Sequence, residues 1–135
     1  MKIVLDANIF ISAFFWGGNP KKIFDRIISG FDDLYISIEI LDEIEDVLKR
    51  PKFHADPDMI NYYISSIEEI GNKVTPWEKI KSASRDEKDN KYIECGAAAN
   101  ADYIISGDIH LLELKHLNGM EIISAKDYLD KVQGQ

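Results

Sequence analysis

Apolar positions along this chain follow two periods that alternate. Ile3, Val4 and Leu5 are consecutive apolar residues, the pattern of a short buried strand over Lys2 to Leu5 that ends at Asp6. Ala7 to Phe15 is apolar with no clear period and is counted as a helix. Trp16-Gly17-Gly18 breaks it. Asn19-Pro20 predicts a new helix start, with Asn at the N-cap and Pro at the first helical position. That helix carries Ile23, Phe24, Ile27 and Ile28 on one face and stops at Gly30. Leu34 to Ser37 reads as a second strand. Ile40, Leu41, Ile44, Val47 and Leu48 then form the 3.6-residue stripe of a helix that Pro51 ends.

Lys52 to Asp58 reads as a loop, and Met59 to Ile70 as an amphipathic helix capped by Gly71. Lys73 to Thr75 is a weak third strand closed by Pro76. Trp77 to Lys88 is polar, a loop with a helical turn. An alanine-rich helix follows over Asn90 to Ala101, then a fourth strand over Tyr103 to Ser106 and a short helix over Ile109 to Leu114. Met120 to Ile123 is the fifth strand, and Ser124 caps a last helix ending near Lys131. Strands alternating with helices predict an α/β fold whose parallel sheet is covered on both faces, giving three layers. With no linker or repeat in 135 residues, the expectation is one domain over 1–135.

Composition narrows the class. At 45% hydrophobic and 30% charged, the chain matches a soluble globular protein able to bury a core without disulfides. Cys95 is the only cysteine, which excludes an intrachain disulfide and suggests a reducing compartment. Met1 to Leu5 is too short for the apolar part of a signal peptide, and no apolar run reaches the length of a membrane span. The expected location is the cytoplasm. The net charge of −8 argues against a generic nucleic-acid binder. It does not exclude a nuclease, because a metal site needs carboxylates and a bound cation inverts the local field.

The candidate chemistry lies in acids at strand ends. Ligands of open α/β sheets sit beyond the carboxyl ends of the strands, where the strand order reverses. Asp6 follows strand one and Asp108 follows strand four, with Gly107 available for a sharp turn. The two converge if those strands are neighbours. Each could equally cap the helix behind it, as could Asp89, and Asp86 rivals Asp89. On the helix from Ile38 to Leu48, Glu39, Asp42 and Asp46 fall on the solvated face. Glu43 and Glu45 lie at the two edges of the apolar stripe, and periodicity does not separate them. Jointly, such acids would make an oxygen-only site for Mg²⁺ or Mn²⁺, able to activate water in phosphodiester cleavage.

Four segments carry a family resemblance. Ile3-Val4-Leu5-Asp6-Ala7-Asn8-Ile9-Phe10-Ile11-Ser12-Ala13 resembles the first motif of PIN-domain proteins, and Ser37 to Leu48, with Leu41-Asp42-Glu43-Ile44, the second. Asp86-Glu87-Lys88-Asp89-Asn90-Lys91-Tyr92 followed by Ala97 resembles the third, and Ala101 to Leu112, including Ser106-Gly107-Asp108, the fourth. The motifs run in the family's order. The resemblance implies a five-stranded parallel sheet in the order 3-2-1-4-5 and a metal-dependent ribonuclease using Mg²⁺ or Mn²⁺. It assigns Asp6, Glu43, Asp89 and Asp108 as the catalytic and metal-binding acids, and Asp86 as a helper. Asn8 and Ser12 match positions that orient the first aspartate, and Ser106 the Ser or Thr two residues before the fourth acid. Small single-domain members of the family are often toxins of toxin–antitoxin pairs, including VapC-type toxins. The resemblance therefore also implies an RNA substrate, a cognate antitoxin and a homodimer.

Other residues have plainer readings. Among the basic side chains, Arg85, Lys88 and Lys91 are the candidates for holding RNA phosphates, because they flank Asp89. Phe14, Phe15 and Trp16 read as packing residues, with base stacking as the alternative. Cys95 reads as a small buried helix residue. His54, His110 and His116 lack zinc-ligand spacing. A receiver-type signalling domain would need an aspartate after strand three and a lysine after strand five, where Pro76-Trp77 and Ser124-Ala125 stand instead. A non-catalytic RNA- or partner-binding module is the remaining rival, and the intact set of four acids weighs against it.

Overall fold

The computed structural model describes residues 1–76 and 87–133. The central strand β1 (Lys2–Leu5) pairs in parallel with β2 (Asp33–Ile36) on one side and β4 (Tyr103–Ile105) on the other. Beyond β2 lies β3 (Asn72–Lys73), and beyond β4 lies β6 (Met120–Ile123), both parallel. A two-residue strand β5 (His116–Leu117) closes the far side, antiparallel to β6. The sheet order is therefore β3-β2-β1-β4-β6-β5.

The expected order 3-2-1-4-5 holds for the five parallel strands; among the described residues the sheet has six strands rather than five. The extra strand comes from Asn118 and Gly119, whose φ values of 51° and 83° build a tight hairpin turn from His116–Leu117 back into Met120.

Among the described residues, seven helices cover the sheet in a three-layer α/β/α arrangement: α1 (Ala7–Phe15), α2 (Gly18–Ile28), α3 (Ile38–Leu48), α4 (Pro57–Ile70), α5 (Asn90–Ala99), α6 (Ile109–Leu112) and α7 (Ala125–Gln133). The ambiguous stretch after β1 is α1. It packs against α2 and α3, and Tyr63 of α4 donates to the carbonyl of Phe10 at 2.6 Å. A helix packed on several sides keeps only a small solvated surface, so its amphipathic period is weak. Two starts fall earlier than expected. α2 begins at Gly18 because Gly17 and Gly18 both take positive φ (77° and 63°). α4 begins at Pro57, with the Asp56 carboxylate accepting the Met59 N–H at 2.8 Å. Part of the expected loop is a 3-10 turn over Pro51–Phe53.

α5 lies across β1, β2 and β4. Gly96 brings it close: a Cβ there would sit 2.5 Å from Met120 Sδ. Ile3, Val4, Leu5, Leu34, Ile36, Ile104 and Ile105 are fully buried, as a sheet covered on both faces requires. At the opposite edge from the strand ends discussed below, buried Asp32 holds β2 to its surroundings. It accepts from Arg26 Nε at 2.8 Å and from the Tyr128 hydroxyl at 2.7 Å. Among the described residues no helix is long and apolar enough to cross a membrane.

Candidate functional site

Sheet register brings the first pair of acids together. The β1–β4 ladder pairs Leu5 with Ile105, and the Asp6 N–H continues it to the Ile105 carbonyl at 3.1 Å. Asp6 and Ser106 thus leave neighbouring strands side by side, at the point where the order reverses between β1 and β4. Asp6 is 3% exposed. Ser106 Oγ donates to its Oδ2, and the Ile9 N–H to its Oδ1 at 3.1 Å. Ser106 Oγ in turn accepts the backbone N–H of Asp108 at 2.9 Å. Asp108 Oδ1 accepts the His110 N–H at 2.7 Å and so starts α6. Capping and clustering are therefore not rival roles here: Asp6 and Asp108 each cap a helix, and both also bond to Ser106.

Burial raises the Asp6 pKa above the ordinary carboxylate value. Hydrogen bonds from Ser106, Ile9 and Gly107 oppose that rise, and the nearby charge of Asp108 adds to it. The direction fits a negative charge that a cation would stabilise. Gly107 contributes its N–H but not its conformational freedom. Its φ is not positive and a Cβ would meet nothing within 4 Å, so the expected need for glycine at this turn does not hold.

The other acids come from helices. Glu43 is half-buried on α3 and turns toward α5. The Tyr92 hydroxyl donates to its Oε2, and Lys91 Nζ lies 3.4 Å from its Oε1. Glu45, on the other edge of the stripe, pairs instead with Lys49 of its own helix at 3.8 Å. Asp89 closes a 3-10 turn (Glu87–Asp89) at the head of α5 and is 6% exposed. Tyr92 ties one of these acids to the backbone beside another, since its oxygen also accepts the N–H of Ala7, next to Asp6, at 3.0 Å. Burial first, and then the Glu43 carboxylate, push the phenol's pKa up. Tyr92 lies within the third motif, which assigns it no role. Its signal was a hydroxyl on a helix face between apolar residues, which must find a partner when buried.

Of the supporting positions, Ser106 bridges Asp6 and Asp108. Asn8 is exposed on the first turn of α1 and Ser12 half-buried one turn later; the hydrogen bonds on Asp6 come from Ser106, Ile9 and Gly107 instead. Lys88 is exposed, and Lys91 is committed to Glu43. Asp86 and Arg85 lie outside the described residues. Among the described residues, no group of three or more His, Cys, Asp or Glu side chains stands close enough to hold one ion. The donor chemistry nonetheless suits a hard cation, being carboxylate oxygen throughout.

The aromatic cluster packs at the far end of α1. Phe15 stacks on Phe53 at 4.9 Å, Phe14 lies 4.2 Å from Tyr63, and Trp16 is 70% exposed.

Comparison with known proteins adds the following. The family model for the PIN domain matches residues 2–110. No curated protein matches the sequence. Among solved structures, PAE2754 from Pyrobaculum aerophilum superposes with a TM-score of 0.66 at 12% identity, covering 100% of this chain and 91% of that one. VapBC2 from Rickettsia felis, bound to a DNA fragment from its promoter, superposes with a TM-score of 0.63 at 14% identity, covering 92% and 98%. At these identities the likeness speaks for the fold.

Proposed function

Because the chain belongs to the PIN-domain family, we propose that it is a metal-dependent endoribonuclease hydrolysing RNA phosphodiester bonds, with residues 1–135 forming one PIN domain. PIN domains are in general nucleases. The observation that carries the reading is the Asp6–Ser106–Asp108 arrangement. Two carboxylates leave adjacent strand ends, one hydroxyl bonds the first carboxylate and the backbone of the second acid, and the buried carboxylate is destabilised first by burial and further by the charge of the other. Asp6 and Asp108 would hold Mg²⁺ or Mn²⁺, with Glu43 and Asp89 as the further acids. When bound, such an ion supplies Lewis-acid stabilisation of phosphate charge and easier ionisation of the attacking water.

The chain's own groups prepare that chemistry. Ser106 aims Asp6 and is fixed by the Asp108 backbone. The covered sheet end keeps the first carboxylate out of bulk water, where its charge acts more strongly. Lys88, with Arg85, would meet the RNA phosphates around Asp89, while Lys91 stays on Glu43. In a chain of net charge −8, that local supply of cations is what RNA binding requires.

The likeness to a VapBC protein supports a further step: that this chain is the toxin of a toxin–antitoxin pair, acting in the cytoplasm as a homodimer with a cognate antitoxin as its protein partner. Incubation of structured and single-stranded RNA with Mg²⁺, Mn²⁺ or chelator tests the enzymatic claim. Metal-dependent cleavage that disappears in Asp6→Asn and Asp108→Asn is the expected result. RNA bound but left intact under every condition would favour the non-catalytic module.

A further inference from the structure

Three segments distant in sequence meet at one phenol. Tyr92 of α5 is 3% exposed, and its hydroxyl makes two hydrogen bonds. It accepts from the N–H of Ala7, the first residue of α1, at 3.0 Å, and donates to Glu43 Oε2 on α3. The other Glu43 oxygen lies 3.4 Å from Lys91 Nζ, so consecutive residues of α5 grip both oxygens of one carboxylate. A phenolic hydroxyl can both donate and accept, and here both capacities are used. This one joins the helix turn beside Asp6 to the acid of another helix, and so fixes their separation.

We infer that Tyr92 is a positioning residue, which hangs the Glu43 carboxylate from the first turn of α1 beside Asp6. Asp6 and Glu43 arise on different elements, 37 residues apart by their numbers, and no described bond joins them directly. The Ala7–Tyr92–Glu43 chain is the link. Groups that orient metal-binding side chains typically change metal affinity by about 10- to 100-fold when removed. The inference rests on the assignment of Glu43 in the proposed function, but not on RNA as the substrate.

Tyr92→Phe keeps the ring and removes only the oxygen. Two measurements on the full chain test it, with thermal melting to verify that the variant is folded. The first is amide hydrogen exchange at Ala7 in metal-free protein, where loss of the acceptor should speed exchange about tenfold or more. The second is Mn²⁺ affinity by calorimetry in the parent, Tyr92→Phe, Glu43→Gln and the double variant. Tyr92→Phe should weaken affinity about tenfold in the parent and not further once Glu43 is replaced.

A purely structural tyrosine would cost the same in both backgrounds, and that result overturns the inference. So does an unchanged affinity, an unchanged Ala7 amide, or a parent that binds no Mn²⁺. A parent that binds Mn²⁺ with the expected coupling but cuts no RNA defeats the nuclease reading alone. A parent that cuts RNA with no Tyr92–Glu43 coupling defeats this inference alone.

Discussion

One hydroxyl orients two acids: Ser106 Oγ donates to the Asp6 carboxylate and accepts the backbone N–H of Asp108 at 2.9 Å. Ser106 is fully buried, so its removal leaves a buried carboxylate and a backbone donor each short of a partner. Ser106→Ala should lower stability by about 1–3 kcal/mol and weaken Mn²⁺ binding and RNA cleavage by about tenfold or more. Ser106→Thr, which keeps the hydroxyl, should recover most of both. Thermal melts and calorimetry of the two variants check this, and an alanine variant with parental affinity would speak against the shared-hydroxyl role.

Asp108 separates charge from capping. Its Oδ1 accepts the His110 N–H at 2.7 Å, a bond an asparagine side chain can also accept. Asp108→Asn should therefore abolish cleavage, by at least about a hundredfold, with no loss of melting temperature in chelator, since it also relieves repulsion on Asp6. Asp108→Ala should lose the same activity and, in addition, about 1 kcal/mol of stability with the cap. Equal melting temperatures for the two would show that the cap contributes nothing.

Cys95 offers a reading of burial through pH. Burial pushes its thiol up to about 12 from an ordinary 9.0, and Ser37 opposes this by a hydrogen bond. At pH 8 the folded protein should be inert to Ellman's reagent, releasing one equivalent only in denaturant. A folded-state pKa above the unfolded one gives stability that is intact below about pH 9 and declines as pH rises toward 12. The slope contributed by this thiol is at most about 1.4 kcal/mol per pH unit. Cys95→Ala should flatten that alkaline decline, and urea midpoints at pH 8 and 10 for both proteins measure the difference.

Two glycines should respond differently to alanine. At Gly71 a Cβ would lie 2.9 Å from Ile36 Cδ1 and 3.1 Å from both Ile36 Cγ1 and the Ile67 carbonyl. Ile36 is fully buried on β2 and has little room to give. Gly71→Ala should cost about 1–3 kcal/mol. At Gly107 the same substitution meets open space at an ordinary φ and should change stability by less than about 0.5 kcal/mol. A common melting temperature for the two variants would contradict this contrast.

The first pair of acids was legible because it depends on local pattern. Three consecutive apolar residues end at Asp6, another short apolar run ends beside Asp108, and a parallel sheet does the rest. Glu43 was not separable from Glu45 by periodicity, since both edge the same stripe. What distinguishes them is contact across the fold: Tyr92 and Lys91 hold one, while Lys49 of the same helix holds the other. The buried Asp32 cluster has no local sequence signature for a similar reason, because Arg26 and Tyr128 reach it from separate helices. β5 has no strand signature of its own, although Asn118-Gly119 is a strong hairpin signal. Two residues are too few to show an alternating pattern.

Both rims of the sheet end on two-residue strands, Asn72–Lys73 on one side and His116–Leu117 on the other. A rim so short presents few open backbone donors and acceptors, and one of the two carries a lysine. It gives another chain almost nothing to extend. Among the described residues, then, the sheet offers little to strand-by-strand extension, and contact between copies is expected through helices and side chains.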